Sequence, residues 1–460
     1  VQGTPIPLWK QLLPSDQDFP MLPLTGLLLL AVGPAFLVLS MTAPLLQRWL
    51  SVVPGDPRDP YRLYVASNAG SFLGLLAFPF LVEPFFDLDT QKNLWSLGVC
   101  LYLILTALCG WLVSRVAEDE ATPRPSSEVD EELSPRRILY WIGLSALTSG
   151  LLAGVTTHIT TDIAPLPLLW VAPLGLYLLS FIIVFSSWPD SLRLGLGRIV
   201  PMLLLFLILV LITQATSPLF LVLGIPMAAF FAVCLLVHGE LACDRHSPRH
   251  LTAFYLFLSL GSVAGSFFCA FLAPILFQRL GNVEYPLFLV LAALVRPRGG
   301  WSLPRWSDFL LPLSLGIITA ILVLLVPPRL EAIYGSEAFD SPLFRVIRLG
   351  TLFGLPAGIA FAMSARPLRY ALGLASLLLA ASMDRGVAGI VRHTERNFFG
   401  TVRVTESNDG RFVRLVHGTT MHGQESTPPG NPPVPLMYYH PTGPAGRTLA
   451  GLPAHKRNRV

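Results

Sequence analysis

Charge is what this 460-residue chain has least of. Asp, Glu, Lys and Arg make up 13% of it, against 53% for the AVILMFWYC set, roughly half the charged fraction of a soluble globular chain. That shortage excludes the two or three soluble domains that the length alone would allow. Thiols are scarce as well. The five cysteines, Cys100, Cys109, Cys234, Cys243 and Cys269, lie in or beside apolar runs. They form no CxxC pair and have no metal-ligand spacing, so they read as small buried hydrophobes rather than a disulfide framework or a zinc site. The first residues, from Val1, carry no basic segment leading into a short apolar stretch and a small-residue cleavage site. This leaves two readings of the start, a fragment or an unconventional start codon translated literally.

What is abundant is apolar sequence in long runs, with a mean hydropathy of +0.61. A spanning helix needs about 20 apolar residues to cross roughly 30 Å of hydrocarbon. The runs predict helices over 22–46, 62–82, 93–115, 138–158, 166–187, 197–214, 217–237, 251–277, 283–295, 308–327, 345–363 and 368–383. The expected fold class is therefore an all-α polytopic membrane bundle of about twelve transmembrane helices, occupying residues 1–384. The ninth and twelfth segments are short enough to bring the count down to ten or eleven.

Arginines fall mainly in alternate loops, among them Arg58, Arg62, Arg124, Arg136, Arg137, Arg193, Arg245, Arg249, Arg296, Arg298, Arg366 and Arg369. Basic residues collect on the cytoplasmic side, so these loops are expected to be cytoplasmic in a cell inner membrane. The acidic, Pro- and Ser-rich stretch 117–137 reads as a disordered cytoplasmic linker.

Two of the runs echo each other: "YVASNAGSFLGLLAFPFL" from Tyr64 and "YLFLSLGSVAGSFFCAFL" from Tyr255 share Gly70/Gly261, Ser71/Ser262, Gly74/Gly265, Phe80/Phe271 and Leu81/Leu272. The offset of six helices suggests two six-helix halves, an arrangement similar to that of major-facilitator-type transporters. The GxxxG spacing in both runs predicts close helix packing.

Polar residues at membrane depth are the candidate sites. Asn68 needs a partner in the bundle or a cavity, either an interhelical hydrogen bond or a substrate. His158 and Asp162, in "GVTTHITTDIAPLPLLW", would share a helical face and suit a proton relay or cation site, or else cap the next helix. In "HGELACDRHSPRH" the acids Glu240 and Asp244 are expected to pair with Arg245 or Arg249, and His238, His246 and His250 to belong to a flexible loop rather than a metal centre.

After Met383 the character changes. Two β-rich runs, 398–405 and 412–417, flank Ser407-Asn408-Asp409-Gly410, a hairpin signal. The tail has too few apolar residues for a core of its own. Its histidines His417 and His422 have no third ligand nearby, so no metal site is expected.

The stretches "RNFFGTVRV", "LVHGTTMHGQ" and "YYHPTGPAG" resemble the small N-terminal β-domain of spermidine synthase-like aminopropyltransferases. The membrane stretches "MTAPLLQRW", "YVASNAGS", "THITTDIAPLPLLWVAPLGLYLLSF" and "HGELACDRHSPRHLTAFYLFLSLG" resemble bacterial proteins in which that β-domain follows a multi-spanning region. Residues 385–460 would then be a partial β-domain. The resemblance implies that Gln424 contacts the nucleoside substrate and that a later pair, Tyr438–Tyr439 or Tyr439–His440, lines a polyamine pocket. "PVPLM" replaces the Asp-Glu that usually precedes the tyrosine.

The Gly-rich nucleotide turn and catalytic carboxylate would lie beyond Val460, so the chain as given is not expected to be a competent enzyme. It would anchor or serve an aminopropyltransferase domain. No cofactor is expected within it; decarboxylated S-adenosylmethionine would be the substrate of the complete enzyme. The expected partners are the bilayer and a polyamine or other small solute, not nucleic acid. The alternative is a major-facilitator-like transporter.

Overall fold

The computed structural model describes residues 21–52, 61–119, 133–163, 168–186, 188–213, 218–244, 250–297, 303–334, 342–384, 390–397, 400–407, 410–418, 420–426 and 433–452. The linker expected at 117–137 falls largely outside these residues.

Every apolar run forms helix. The first gives α1 (Met21–Ala31) and α2 (Gly33–Val52), bent by 59° at their junction. Then follow α3 (Arg62–Ala77), α4 (Leu88–Asp119), α5 (Pro135–Thr157), α6 (Val171–Ser186), α7 (Asp190–Thr213) and α8 (Ile225–Cys243). The membrane part ends with α9 (Leu251–Phe267), α10 (Glu284–Ala292), α11 (Ser307–Tyr334), α12 (Pro342–Ala362) and α13 (Pro367–Ala381).

Eight of the described helices are long and apolar enough to cross a membrane, or nine if the bent α1–α2 pair is one span. The expected count of about twelve is not met, and the reason is length. At 1.5 Å per residue, α6, α13 and α10 reach only about 24, 22 and 14 Å, short of a hydrocarbon core of about 30 Å. Large apolar side chains lie exposed along the outer faces, including Leu29, Phe36, Leu37, Leu101, Ile104 and Trp111. Backbone groups satisfied within each helix and apolar side chains turned outward suit a lipid solvent.

Four helices widen into a π turn, at Phe78–Val82 after α3, His158–Ile163 after α5, Phe220–Gly224 before α8 and Phe268–Leu272 after α9. Each ends two residues before a proline: Pro84, Pro165, Pro226 and Pro274. A proline ring crowds the carbonyl four residues back and offers it no proton. The chain responds by reaching one residue further, as when Glu83 N–H bonds Phe78 O and Ala273 N–H bonds Phe268 O. Proline alone does not force this, because Pro44, Pro201, Pro312 and Pro356 sit inside α-helix.

The two echoing runs become α3 and α9, and each carries a π turn at a similar distance from its tyrosine. Their packing differs. α9 lies along α5, whereas α3 lies along α6, so the two echoing helices do not have matching partners. In α9 the glycines are needed: a Cβ on Gly261 or Gly265 would overlap the backbone carbonyl of Ile142 or Ala146 on α5. In α3 the matching Gly70 and Gly74 have nothing within 4 Å of such a Cβ.

The tail is more than the expected hairpin. Strands β1 (Ile390–Asn397), β2 (Gly400–Glu406), β3 (Phe412–His417), β4 (Thr420–Ser426) and β5 (Val434–Leu436) form one antiparallel meander in chain order. The β2–β3 connection is closed by Ser407, whose N–H bonds Phe412 O and whose hydroxyl accepts the Phe412 N–H. Gly410 takes φ +67° there, a conformation costly for residues with a side chain. A short helix, α14 (Pro444–Gly451), follows.

Filling the α5–α9 seam should be costly. Gly265→Ala is expected to lower stability by about 1–3 kcal/mol, the usual penalty for overpacking, while Gly74→Ala leaves it nearly unchanged. Thermal unfolding of both variants in the same detergent checks this.

Candidate functional site

Helix ends hold the charges. At the arginine-rich end, Arg137 grips Asp244 with Nε to Oδ2 at 2.9 Å and Nη2 to Oδ1 at 2.8 Å, and Trp141 Nε1 adds a third bond at 2.8 Å. Arg193 Nη1 donates to Glu240 at 2.6 Å. Asp308 accepts from Arg366 at 2.8 Å and from Arg369 at 3.0 Å. The expected partners of Glu240 and Asp244, Arg245 and Arg249, lie outside the described residues. The arginines that hold these acids belong to α7 and α5 and cross-link helix ends instead of staying within one loop.

His238 departs from expectation. It is not in a flexible loop but on α8, fully buried. Its ring stacks on Phe181 with centroids 3.7 Å apart and meets Tyr177 edge-on. Ser180 gives its proton to the Tyr177 carbonyl at 2.6 Å, so its oxygen is the acceptor for His238 Nδ1 at 2.8 Å. That fixes the tautomer and turns Nε2 toward Thr148 Oγ1, 3.4 Å away. A His amid Leu and Val in a helical run was the available signal, obscured by the polar residues that follow it.

Asn68 lies near this layer but does not bridge helices as expected. Its amide donates to the Tyr64 carbonyl on its own helix at 2.8 Å. The Tyr64 ring packs on Phe181, Phe185 and Tyr255.

A different grouping forms at the opposite end of α5. His158 opens the π turn and stacks on Tyr285, with centroids 5.2 Å apart. The π geometry changes the i, i+4 spacing on which a shared His158–Asp162 face depended, and the Asp162 side chain lies outside the described residues. Next to Tyr285, Glu284 takes a two-point grip from Arg396 of β1, at 2.8 and 2.6 Å. Arg396 also donates to the Gly281 carbonyl at 3.0 Å, and Thr401 of β2 reaches Asn282 at 3.4 Å. Both members of the ion pair are buried. These contacts dock the sheet on the bundle, and sequence reading missed them because Glu284 and Arg396 are more than a hundred residues apart and no spacing links them.

Between bundle and sheet lies a cavity of about 360 Å³. The π turns after α5 and α9 form two of its walls through Thr160, Thr161, Ala270 and Phe271, α1 contributes Leu24, Thr25 and Leu28, and Arg396 and Gly400 close it from the sheet.

The remaining expected site residues lie on the sheet. Gln424 pairs with Arg414 across β3–β4 and with Leu436 across β4–β5. The neighbouring Gly423 turns toward the Tyr439 ring. Successive strand residues face opposite ways, so Gln424 and Tyr439 do not share a face. The Tyr438 side chain lies outside the described residues. Beside Gln424, Arg414 Nε and Thr405 Oγ1 are buried with no hydrogen-bond partner. His417 and His422 come together across the hairpin, 5.8 Å between centroids. Among the described residues no three His, Cys, Asp or Glu side chains converge on a metal position.

Comparison of the chain with protein-family models, with curated proteins and with solved structures finds no match.

Removing one side of a buried ion pair leaves the other charge uncompensated, at about 3–5 kcal/mol. Arg396→Gln should therefore loosen the sheet without unfolding the helices. Hydrogen exchange is expected to rise in β1 and β2 and stay unchanged in α5 and α9.

Proposed function

We propose that the chain is the membrane platform of an aminopropyltransferase-type enzyme of the inner membrane, with the arginine-rich helix ends in the cytoplasm. The observation that carries this reading is the sheet's position. It comes after α13 in the chain, presents Gln424 on β4, and is fixed to the bundle by the Arg396–Glu284 pair. A transferase domain supplied from outside these residues would be held at the membrane by that joint. Decarboxylated S-adenosylmethionine is the ligand this reading names for Gln424. Titrated against full-length protein in lipid nanodiscs, it should bind saturably, and Gln424→Ala should abolish the binding. Failure of both this nucleoside and spermidine to bind the wild-type chain ends the reading.

A second reading, a small-solute transporter, is favoured by the layer around His238. Imidazole, Ser180 and Thr148 hydroxyls stacked against Tyr177 and Phe181 form a polar group inside the apolar bundle, and ionisable residues at membrane depth often mark solute or proton pathways. Proteoliposomes carrying the chain should then take up labelled polyamine above protein-free vesicles, and His238→Phe should return uptake to that background. Equal uptake with and without protein excludes this role.

A further inference from the structure

The cavity between the bundle and the sheet has two kinds of wall. Leu24, Leu28 and Phe271 make one side apolar, while Thr160, Thr161, Asn282 and Arg396 make the other polar. Leu28 and Ala270 at its edge are exposed on the outer, lipid-facing surface. The space thus joins the apolar exterior to a polar pocket at one end of the bundle, as an amphiphile requires. Its volume, about 360 Å³, falls at the low end of the roughly 300–1,000 Å³ typical of small-molecule sites.

The polar wall also limits the charge of an occupant. Arg396 is its one charged residue, and both its terminal nitrogens are engaged by Glu284. The lining formed by the described residues therefore carries no uncompensated charge, and an anion would compete with a buried carboxylate for the guanidinium. The threonines contribute acceptors. Thr160 Oγ1 donates its proton to Thr156 O at 2.8 Å, and Thr161 Oγ1 to Thr157 O at 2.6 Å. What each hydroxyl offers to a neighbour is oxygen lone pairs. An occupant that brings proton donors, a balancing anionic group and no net charge matches this set.

We propose that the cavity holds the headgroup of a zwitterionic glycerophospholipid of the phosphatidylethanolamine class. Its ammonium meets the threonine oxygens, its phosphate lies toward the Arg396 edge, and its acyl chains leave over Leu28 and Ala270. Bound there, the lipid would touch α1, both π turns and the sheet at once.

The test uses the full chain in mixed micelles containing equal amounts of phosphatidylethanolamine and phosphatidylglycerol, with retained lipid read by native mass spectrometry. Several-fold preferential retention of phosphatidylethanolamine is expected. It should fall in Thr160→Val, which keeps the branched shape but removes the oxygen, and disappear in Ala270→Trp, which fills the space. Equal retention of the two lipids overturns the proposal, as does unchanged retention in a folded Thr160→Val or Ala270→Trp protein. Displacement by equimolar soluble glycerophosphoethanolamine would also overturn it, since the acyl chains would then contribute nothing.

Discussion

The α5–α9 seam is the contact on which the rest of the molecule depends. In lipid, burying apolar side chains between helices gains little over leaving them in hydrocarbon, so close backbone approach and polar bonds must hold helices together. Gly261 and Gly265 permit that approach, and a ladder of hydroxyls exploits it. Ser145 donates to Leu258 O at 2.6 Å and Ser149 to Ser262 O at 2.9 Å. With those protons committed, Ser262 and Ser266 must be the donors in their 2.8 and 2.7 Å contacts with Ser145 and Ser149. Small residues on one helix face thus supply both proximity and bonding. Around this pair, α8 and α10 pack on α5, carrying His238 and Glu284 to their places.

Charge is confined to the two ends of that core and has a different task at each. At the arginine-rich end, three acids are each held by arginines, and the pairs join α5 to α8, α7 to α8, and α11 to the start of α13. Such pairs are costly to break in a low-dielectric setting, so they fix the spacing of helix ends that loops alone would leave free. At the other end the Arg396–Glu284 pair joins bundle to sheet. The sheet's buried residues include Thr401 and Thr405 rather than a cluster of large apolar side chains, so the bundle supplies the support that its own interior lacks.

Much of this was legible in the sequence, and the limits have physical causes. Each apolar run became a helix because a membrane-embedded segment must satisfy its own backbone. The described residues give eight or nine spans rather than about twelve, because a hydropathy pattern does not distinguish a long helix from a shorter apolar one such as α6. The GxxxG echo predicted a close contact for both runs, and the contact forms at α9 but not at α3, because spacing says nothing of what lies opposite. Arg137, Arg193, Arg366 and Arg369 carried a topological signal in the sequence, but the pairing with Asp244, Glu240 and Asp308 was invisible, because the partners come from different helices. The same is true of Glu284 and Arg396, more than a hundred residues apart. Gln424 and Tyr439 were given related substrate roles by resemblance, yet strand alternation sets them on opposite sides.

The π turns connect these levels. A proline two residues beyond each turn removes one donor and crowds one carbonyl, and the added residue widens the helix. After α5 and after α9 this happens at the same end of a tightly packed pair. Two helices held together by glycine and serine along their length are therefore wider where they leave the seam. The volume this opens is bounded by the threonines of one π turn and by Ala270 and Phe271 of the other. On the sheet side it is bounded by Arg396, whose guanidinium is already paired with Glu284. Pro274, which itself lines the cavity, is in this sense also one of its causes.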